Sequence, residues 1–480
     1  MVDTNGTDWL ATALDPLRTA PSSDAWPSAA EIGRRASRRR RRRAVGSALG
    51  VLVVGLAILL VVALVAIPGE GPRGAQASVA RHVAGPYGSV HLVASVDHSR
   101  ASDAQVMADV AADEEAFALD LTRREVSYAP TSNVVLSPLS ADIDLSMLEL
   151  GAGGATQRAI ASALQSEGMS PNENAAGWGQ LVSSEVAGSP AGGLTVADSL
   201  WVERHLHVQT AFLRLDAADF GNDTYQVNFA SPSATQAINA WVDQATGGRI
   251  VQLFAAGELA PTTVVVLANA LHLQARWATA HEFSTKSQAF ITAGGASVSV
   301  PTLTASDAQL AAAVTHSYQA VQIPLAGGQL AALVIEPSQG TLQTWLERLT
   351  PEALGSMVAS LSRGAVDLTM PALNLSNRPV LNKPLSAMGM ASAFQTADLV
   401  PMLGGTATKN LYVATVQQAD VLQLNSGGID AAASTGTSIG ITAVEQARRI
   451  TIDHPYLLLV RDTKTGAILF SSAVNDPAES

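Results

Sequence analysis

One stretch divides this chain before any fold can be considered: Ala44 to Ile67, 24 residues without a charge, rich in Val, Leu and Ala and closed by Pro68 and Gly69. At about 1.5 Å rise per residue a helix of that length reaches roughly 36 Å, enough to cross a hydrocarbon layer of about 30 Å with some tilt. Immediately before it, Arg34, Arg35 and the run Arg38 to Arg43 place eight arginines within ten residues. Arginine-rich flanks stay cytoplasmic, so a type II signal anchor in a bacterial-type membrane is expected, with 1–43 inside, 44–67 through the membrane and the remainder outside. Cleavage is the rival: Ala75-Gln76-Ala77 is a small-x-small site, and Arg38-Arg39 can be read as a twin-arginine pair. The apolar run is long for a signal peptide and the site lies far beyond its end, so retention is preferred; cleavage near Ala77 would give a secreted protein.

Charge follows the same division. Up to residue 43 there are nine basic and five acidic residues, against 29 and 41 in the whole chain, so the remainder carries 20 basic and 36 acidic. An acidic body repels phosphates, and the arginines abut the span, which argues against nucleic acid as a partner. With no cysteine there is neither a disulfide framework nor a thiolate metal site, and stability must come from packing.

Residues 1–43 form a basic tail, expected to be disordered, with Pro16, Pro21 and Pro27 among small polar residues. Residues 68–102 read as an exposed stalk with one apolar alternation around Val90 to Val96. From 103 to 480 the pattern mixes periods. Asp103 to Val126 and Pro138 to Leu150 look helical, whereas Val264 to Leu267, Leu330 to Ile335, Val366 to Met370 and Tyr456 to Val460 look like strands, so an α+β domain is expected.

Several strings within that domain occur in a familiar order: Asn133-Val-Val-Leu-Ser-Pro-Leu-Ser140, Leu150-Gly-Ala-Gly-Gly-Ala-Thr156, Asn239-Ala-Trp-Val242, Leu267-Ala-Asn-Ala-Leu-His-Leu-Gln-Ala-Arg-Trp277, Met388-Gly-Met390, Asn425 to Gly436 and Asp453-His-Pro-Tyr456. Together they resemble the serpin superfamily over roughly 105–477. The resemblance implies three β-sheets, eight or nine helices and a long reactive loop, here about 428–447. It also implies an inhibitor of serine proteases and no enzyme. A protease attacks the loop, forms an acyl-enzyme and is distorted when the cut loop inserts into the central sheet, the strain-release device known for this superfamily. Ser137, Ser140 and Asn269 match residues that hydrogen-bond beneath the opening sheet.

The loop itself supports that role. Its hinge, Gly428, Ile429, Asp430, Ala431, Ala432 and Ala433, is mostly small, and Ile429, Ala431, Ala433, Thr435 and Thr437 share one uncharged face that a sheet could bury. Three residues depart from the resemblance: Ser426 for a usual Glu, Ile429 for a usual Thr or Ser, and Gln418 for a common His. Counting forward places the bait bond at Thr442-Ala443, and counting back from Pro455 at Val444-Glu445. Thr442, Ala443 or Val444 would suit proteases with small apolar pockets, elastase-like or subtilisin-like; Arg448 and Arg449 offer a trypsin-like alternative close to the following strand. A non-inhibitory serpin-fold binding protein is the second reading.

Gly436-Thr-Ser-Ile-Gly440 fits G-x-S-x-G, but Ser438 lacks the buried strand and following helix of a nucleophile elbow. No phosphate loop or metal-ligand spacing appears, so no cofactor and no metal is expected. A monomer without a heparin-like activator is expected.

Overall fold

The computed structural model describes residues 81–479, except 85, 94–103, 190–192, 222, 279–282, 406–410 and 430–446. The apolar run 44–67 lies outside them, and among the described residues no helix is long and apolar enough to cross a membrane.

Helices begin where the sequence supplies caps. Strand β3 (Val134–Leu136) runs into α2 (Pro138–Gly151), which starts at a proline in its first turn, where the missing N–H costs nothing. Every residue of α2 is buried, so it is the central helix, flanked by α1 (Ala104–Tyr128), α3 (Gly154–Ala163) and α4 (Pro171–Gly188). A reciprocal capping box between Ser170 and Glu173 opens α4. Next come α5 (Thr210–Asp219) and α6 (Pro232–Ala245), the latter capped by Ser231. Four shorter segments follow: α7 (Leu342–Leu346), α8 (Pro351–Ser360), α9 (Asn382–Ala387) and α10 (Val400–Leu403). The described residues thus hold ten α-helices where eight or nine were expected, because α7, α9 and α10 are segments of four to six residues.

Three sheets are present. The first has six strands in the order β1 (Arg81–Ala84), β2 (Val90–Val93), β5 (Asp223–Val227), β4 (Leu194–Glu203), β6 (Val265–Leu273) and β14 (Val413–Gln417). The second runs β17 (Arg448–Thr451), β12 (Ser362–Pro371), β9 (Ser297–Val314), β10 (Tyr318–Pro324), β11 (Leu330–Pro337), β18 (Tyr456–Asp462), β19 (Ile468–Val474) and β3, with β8 (Ser284–Ile291) on β9. Strands β18 and β19 are buried along their whole length, including the polar residues Arg461, Asp462, Ser471 and Ser472. A third sheet of four continues the first: β13 (Leu373–Asn377), β15 (Asp420–Asn425), β16 (Gly428–Ile429) and β7 (Ala275–Arg276).

Alternation along β4 and β6 divides the core. Leu200, Val202, Val265 and Leu267 face α2, whereas Trp201, Val266 and Ala268 face α6 on the other side. One segment differs from expectation. Part of the presumed stalk 68–102 belongs to the folded body, because β1 and β2 form a hairpin whose second strand pairs with β5. Its alternation is the period-2 signal of a strand, and Leu92 supplies the buried side chain.

Candidate functional site: a seam in the central sheet

Strands β6 and β7 are nearly continuous, as are β14 and β15, so two long strands run side by side. At their lower end they pair directly and in parallel, Val413 opposite Val265, Thr415 opposite Val266, Val416 opposite Leu267 and Gln417 opposite Ala268. At their upper end they are held apart by β16, which is antiparallel to both: Gly428 and Ile429 face Asn425 and Leu424 on one side, Arg276 and Ala275 on the other.

The residues explain the seating. Gly428 sits at φ +141°, where a Cβ would lie 2.1 Å from the Ala275 carbonyl oxygen, so only glycine passes between the strands. Ile429 is 2% exposed and packs with Ala275, Trp277, Leu422 and Leu424. The turn before it is held by Asn425, whose side chain accepts from Gly427 N–H at 2.8 Å and whose carbonyl accepts from Trp277 Nε1 at 3.0 Å. Gly428 and Ile429, expected in the exposed loop, are therefore strand residues seated in the sheet. Burial of an isoleucine gives a physical reason for the departure from Thr or Ser at this position.

Beneath the point where the seam closes lies a buried polar group. Ser137 Oγ is 2.8 Å from Ser140 Oγ and 3.0 Å from the Leu469 carbonyl oxygen, and Gln418 Nε2 donates to the Ser137 carbonyl at 2.7 Å. All three side chains are buried. Asn269 is directly opposite Asp198 in the β4–β6 pairing, and its side-chain amide donates to the Asp198 carboxylate. Ser137 and Ser140 thus meet, while Asn269 bonds to an aspartate that the sequence reading did not single out.

Burial, the Asn269 bond in the opposite sense, and nearby Asp216 together leave the Asp198 carboxyl raised to about 7. Asp144, on α2, is fully buried with neither carboxyl oxygen hydrogen-bonded, and burial together with Asp198 pushes it well above the usual carboxylate range. A signal existed for Asp144: the helical string Pro138–Gly151 carries three carboxylates, Asp142, Asp144 and Glu149, among its Leu, Ile and Met residues, and charges on an all-buried helix demand an explanation.

Asp430, Ala431, Ala432, Ala433, Thr442, Ala443, Val444 and Glu445 lie outside the described residues, as does Ser438. Arg448 and Arg449 lie in β17, paired in parallel with β12, and Arg448 donates to the Ala312 carbonyl and to Ser362 Oγ. Both arginines are strand residues, which takes the trypsin-like alternative off the loop.

Residues 112–477 match the family described as Serpin (serine protease inhibitor). The chain belongs to the serpin family. Serpin-ZXA of Oryza sativa subsp. japonica is 29% identical over 358 residues, 72% of this chain and 90% of that protein. Plasminogen activator inhibitor 1 of Sus scrofa is 27% identical over 375 residues, 75% of this chain and 91% of the relative. Among solved structures, a thyroxine-binding globulin complex with thyroxine superposes with a TM-score of 0.68 at 26% identity, covering 77% of this serpin and 99% of that chain. The thermophilic serpin tengpin in its native state has a TM-score of 0.70 at 20% identity, which speaks for the fold alone. These sequence relatives are plant and mammalian, and the expectation of a bacterial-type, membrane-anchored member draws no support from them.

Proposed function

We propose that this serpin is an irreversible inhibitor of serine proteases, acting by cleavage of the loop after Ile429 and insertion of the cut strand along the β6–β14 seam. The observation that carries the reading is β16. Two hinge residues already occupy the site of a new strand, antiparallel to both neighbours. Continuing the register from Ile429 opposite Ala275 brings Ala431 opposite Leu273, Thr435 opposite Asn269 and Ile439 opposite Val265, the first residue of β6. On the other side the register from Ile429 opposite Leu424 brings Gly440 opposite Val413, the first residue of β14. The two walls of the seam would end at adjacent loop positions, 439 and 440, just before the bait-bond candidates Thr442 to Glu445. The inserted strand would exchange the β6–β14 pairing for two antiparallel ladders.

In the reaction, the protease seryl oxygen adds to the bait carbonyl carbon, and the peptide C–N bond breaks as the new amine leaves with a proton. An ester to the protease remains. Insertion would then carry the ester-linked protease along the seam before water reaches the ester. Small side chains at Thr442, Ala443 and Val444 suit the small apolar pockets of elastase-like or subtilisin-like targets. Placement outside a membrane, anchored through 44–67 or released near Ala77, is part of the same proposal and rests on the arginine-flanked apolar run.

The test is incubation of the full chain with elastase, subtilisin and trypsin. The expected result is a covalent adduct stable on denaturing gels with loss of protease activity, and mass spectrometry of the released C-terminal peptide would locate the bond. Clean loop cleavage without adduct or inhibition would transfer the case to a non-inhibitory binding protein, the role suggested by the thyroxine complex named above.

A further inference from the structure

The hairpin β1–β2 lies outside the family match, which begins at residue 112. Its contacts are specific. His91 stacks on Tyr225 of β5 with ring centroids 4.7 Å apart, and Tyr225 stacks on Trp201 of β4 at 4.4 Å. Both rings share a core with Ile238, Trp241 and Val242 of α6. On the opposite face of the same strand Leu92 enters the core under the sheet. The connecting turn, Pro86–Gly88, packs against α6, and its Gly88 carbonyl accepts from Arg204 Nη2 at 3.0 Å.

Helix α6 lies on one side of the seam and is linked to the other through the chain that follows it. It packs on β4 and β6, and Asn239 binds the chain that follows: its amide donates to the Phe254 carbonyl at 2.8 Å, and its oxygen accepts from Leu253 and Phe254 N–H. That chain is tied to the far side of the seam, since Gln417 of β14 donates to the Leu253 carbonyl at 3.2 Å. Ala419, between β14 and β15, joins the same apolar cluster. Parting β6 from β14 would therefore strain the link that runs from α6 through Asn239 and residues 253–254 to Gln417.

We infer that the 81–93 hairpin is an intramolecular latch that holds α6, and through it the 253–254 bridge to β14, against the sheet and so sets the rate at which a strand enters the central sheet. The inference rests on the loop-insertion reading above. Strand pairing along β5, a stack on the α6 face and Leu92 on the other grip the sheet edge from both sides, while the turn holds the helix.

The test uses the full chain with residues 81–93 replaced by a Gly/Ser linker of equal length, beside His91→Ala, which keeps the backbone pairing. A synthetic peptide with the sequence of residues 429–442 serves as the entering strand, and annealing is read as the appearance of a heat-resistant species. The expected result is at least tenfold faster annealing for the linker variant and a smaller acceleration for H91A, with faster amide exchange in residues 232–245. Annealing at the wild-type rate in both variants, or unchanged exchange in α6, would overturn the latch. Annealing by none of the proteins would instead remove the insertion reading, and the latch with it. Should the linker variant fail to fold, H91A alone decides by the same two readouts.

Discussion

The two ends of one seam are built differently. At the top, the strands are separated by Gly428 and Ile429, and what holds them is apolar packing with a backbone passage only glycine can make. At the bottom, the strands pair directly over buried polar groups, with Ser137, Gln418, Asn269 and Asp198 hydrogen-bonded on one face and, on the other, residues 253–254 linking α6 to Gln417. Resistance to opening is therefore concentrated low in the sheet. Apolar contacts are short-ranged and non-directional, so a hinge can slide over them. Buried hydrogen bonds must each find a new partner or cost about 1–3 kcal/mol while unmade.

The strongest way to break this contrast is Gly428→Val. A side chain there would meet the Ala275 carbonyl oxygen and Arg276 Cα, both backbone, with no flexible neighbour to yield. The hinge should leave its seat, making the loop cleave at least tenfold faster in limited proteolysis and exposing the Ile429 amide to exchange. Slow exchange at Ile429 in this variant would mean that the upper end is not gated by glycine.

Asp198→Asn sharpens the other half. Burial raises Asp198 to about 7, while an unfolded aspartate titrates near about 3.9. The native state thus holds a proton that the unfolded chain has released. Stability from this group is fully present below pH ~4 and is lost as pH rises through about 7, and Asp144 acts in the same direction. Between pH 5 and 8 the wild type should lose on the order of 1–3 kcal/mol, read as faster unfolding in denaturant. D198N should flatten that dependence while keeping the Asn269 bond; an equally steep profile would clear Asp198 of the role. Glu115, also raised to about 7 by burial, should leave a residual slope.

The smallest effect is expected from Gln418→His. The glutamine spends its amide on the Ser137 carbonyl and leaves its own oxygen without a hydrogen-bond partner. An imidazole N–H can serve the same carbonyl, so stability should change by less than about 1 kcal/mol, measured as Tm. A shift of many degrees would show that the lower end depends on more than this bond.

Much of this was legible beforehand. The helices from 103 and 138 and the strands near 264, 330, 366 and 456 appear where periodicity placed them, because each buries one clear face or a continuous apolar run. Ser137 and Ser140 were reached through their string, and they do meet. Three things were not legible. The 81–93 hairpin is short, and a lone alternation cannot say whether it will find an edge to pair with. Asp198 becomes important only because β4 pairs with β6 in a register that puts it opposite Asn269. The hinge composition showed that residues from Gly428 onward could enter a sheet, but not that two of them already had.

By itself, then, the sequence determined the α+β serpin fold, the uncharged face of the hinge and the apolar run behind the arginines, since each is a property of local pattern or of ordered strings. Tertiary structure alone decided that Gly428 and Ile429 are seated in the sheet, which carboxylates meet on the α2 side of the central sheet, and how residues 253–254 link α6 to β14. Those depend on register and on contacts between residues more than a hundred positions apart, such as Gln417 with Leu253 or His91 with Tyr225. No local pattern encodes such pairings, because they are selected by how whole elements pack and not by the residues beside them.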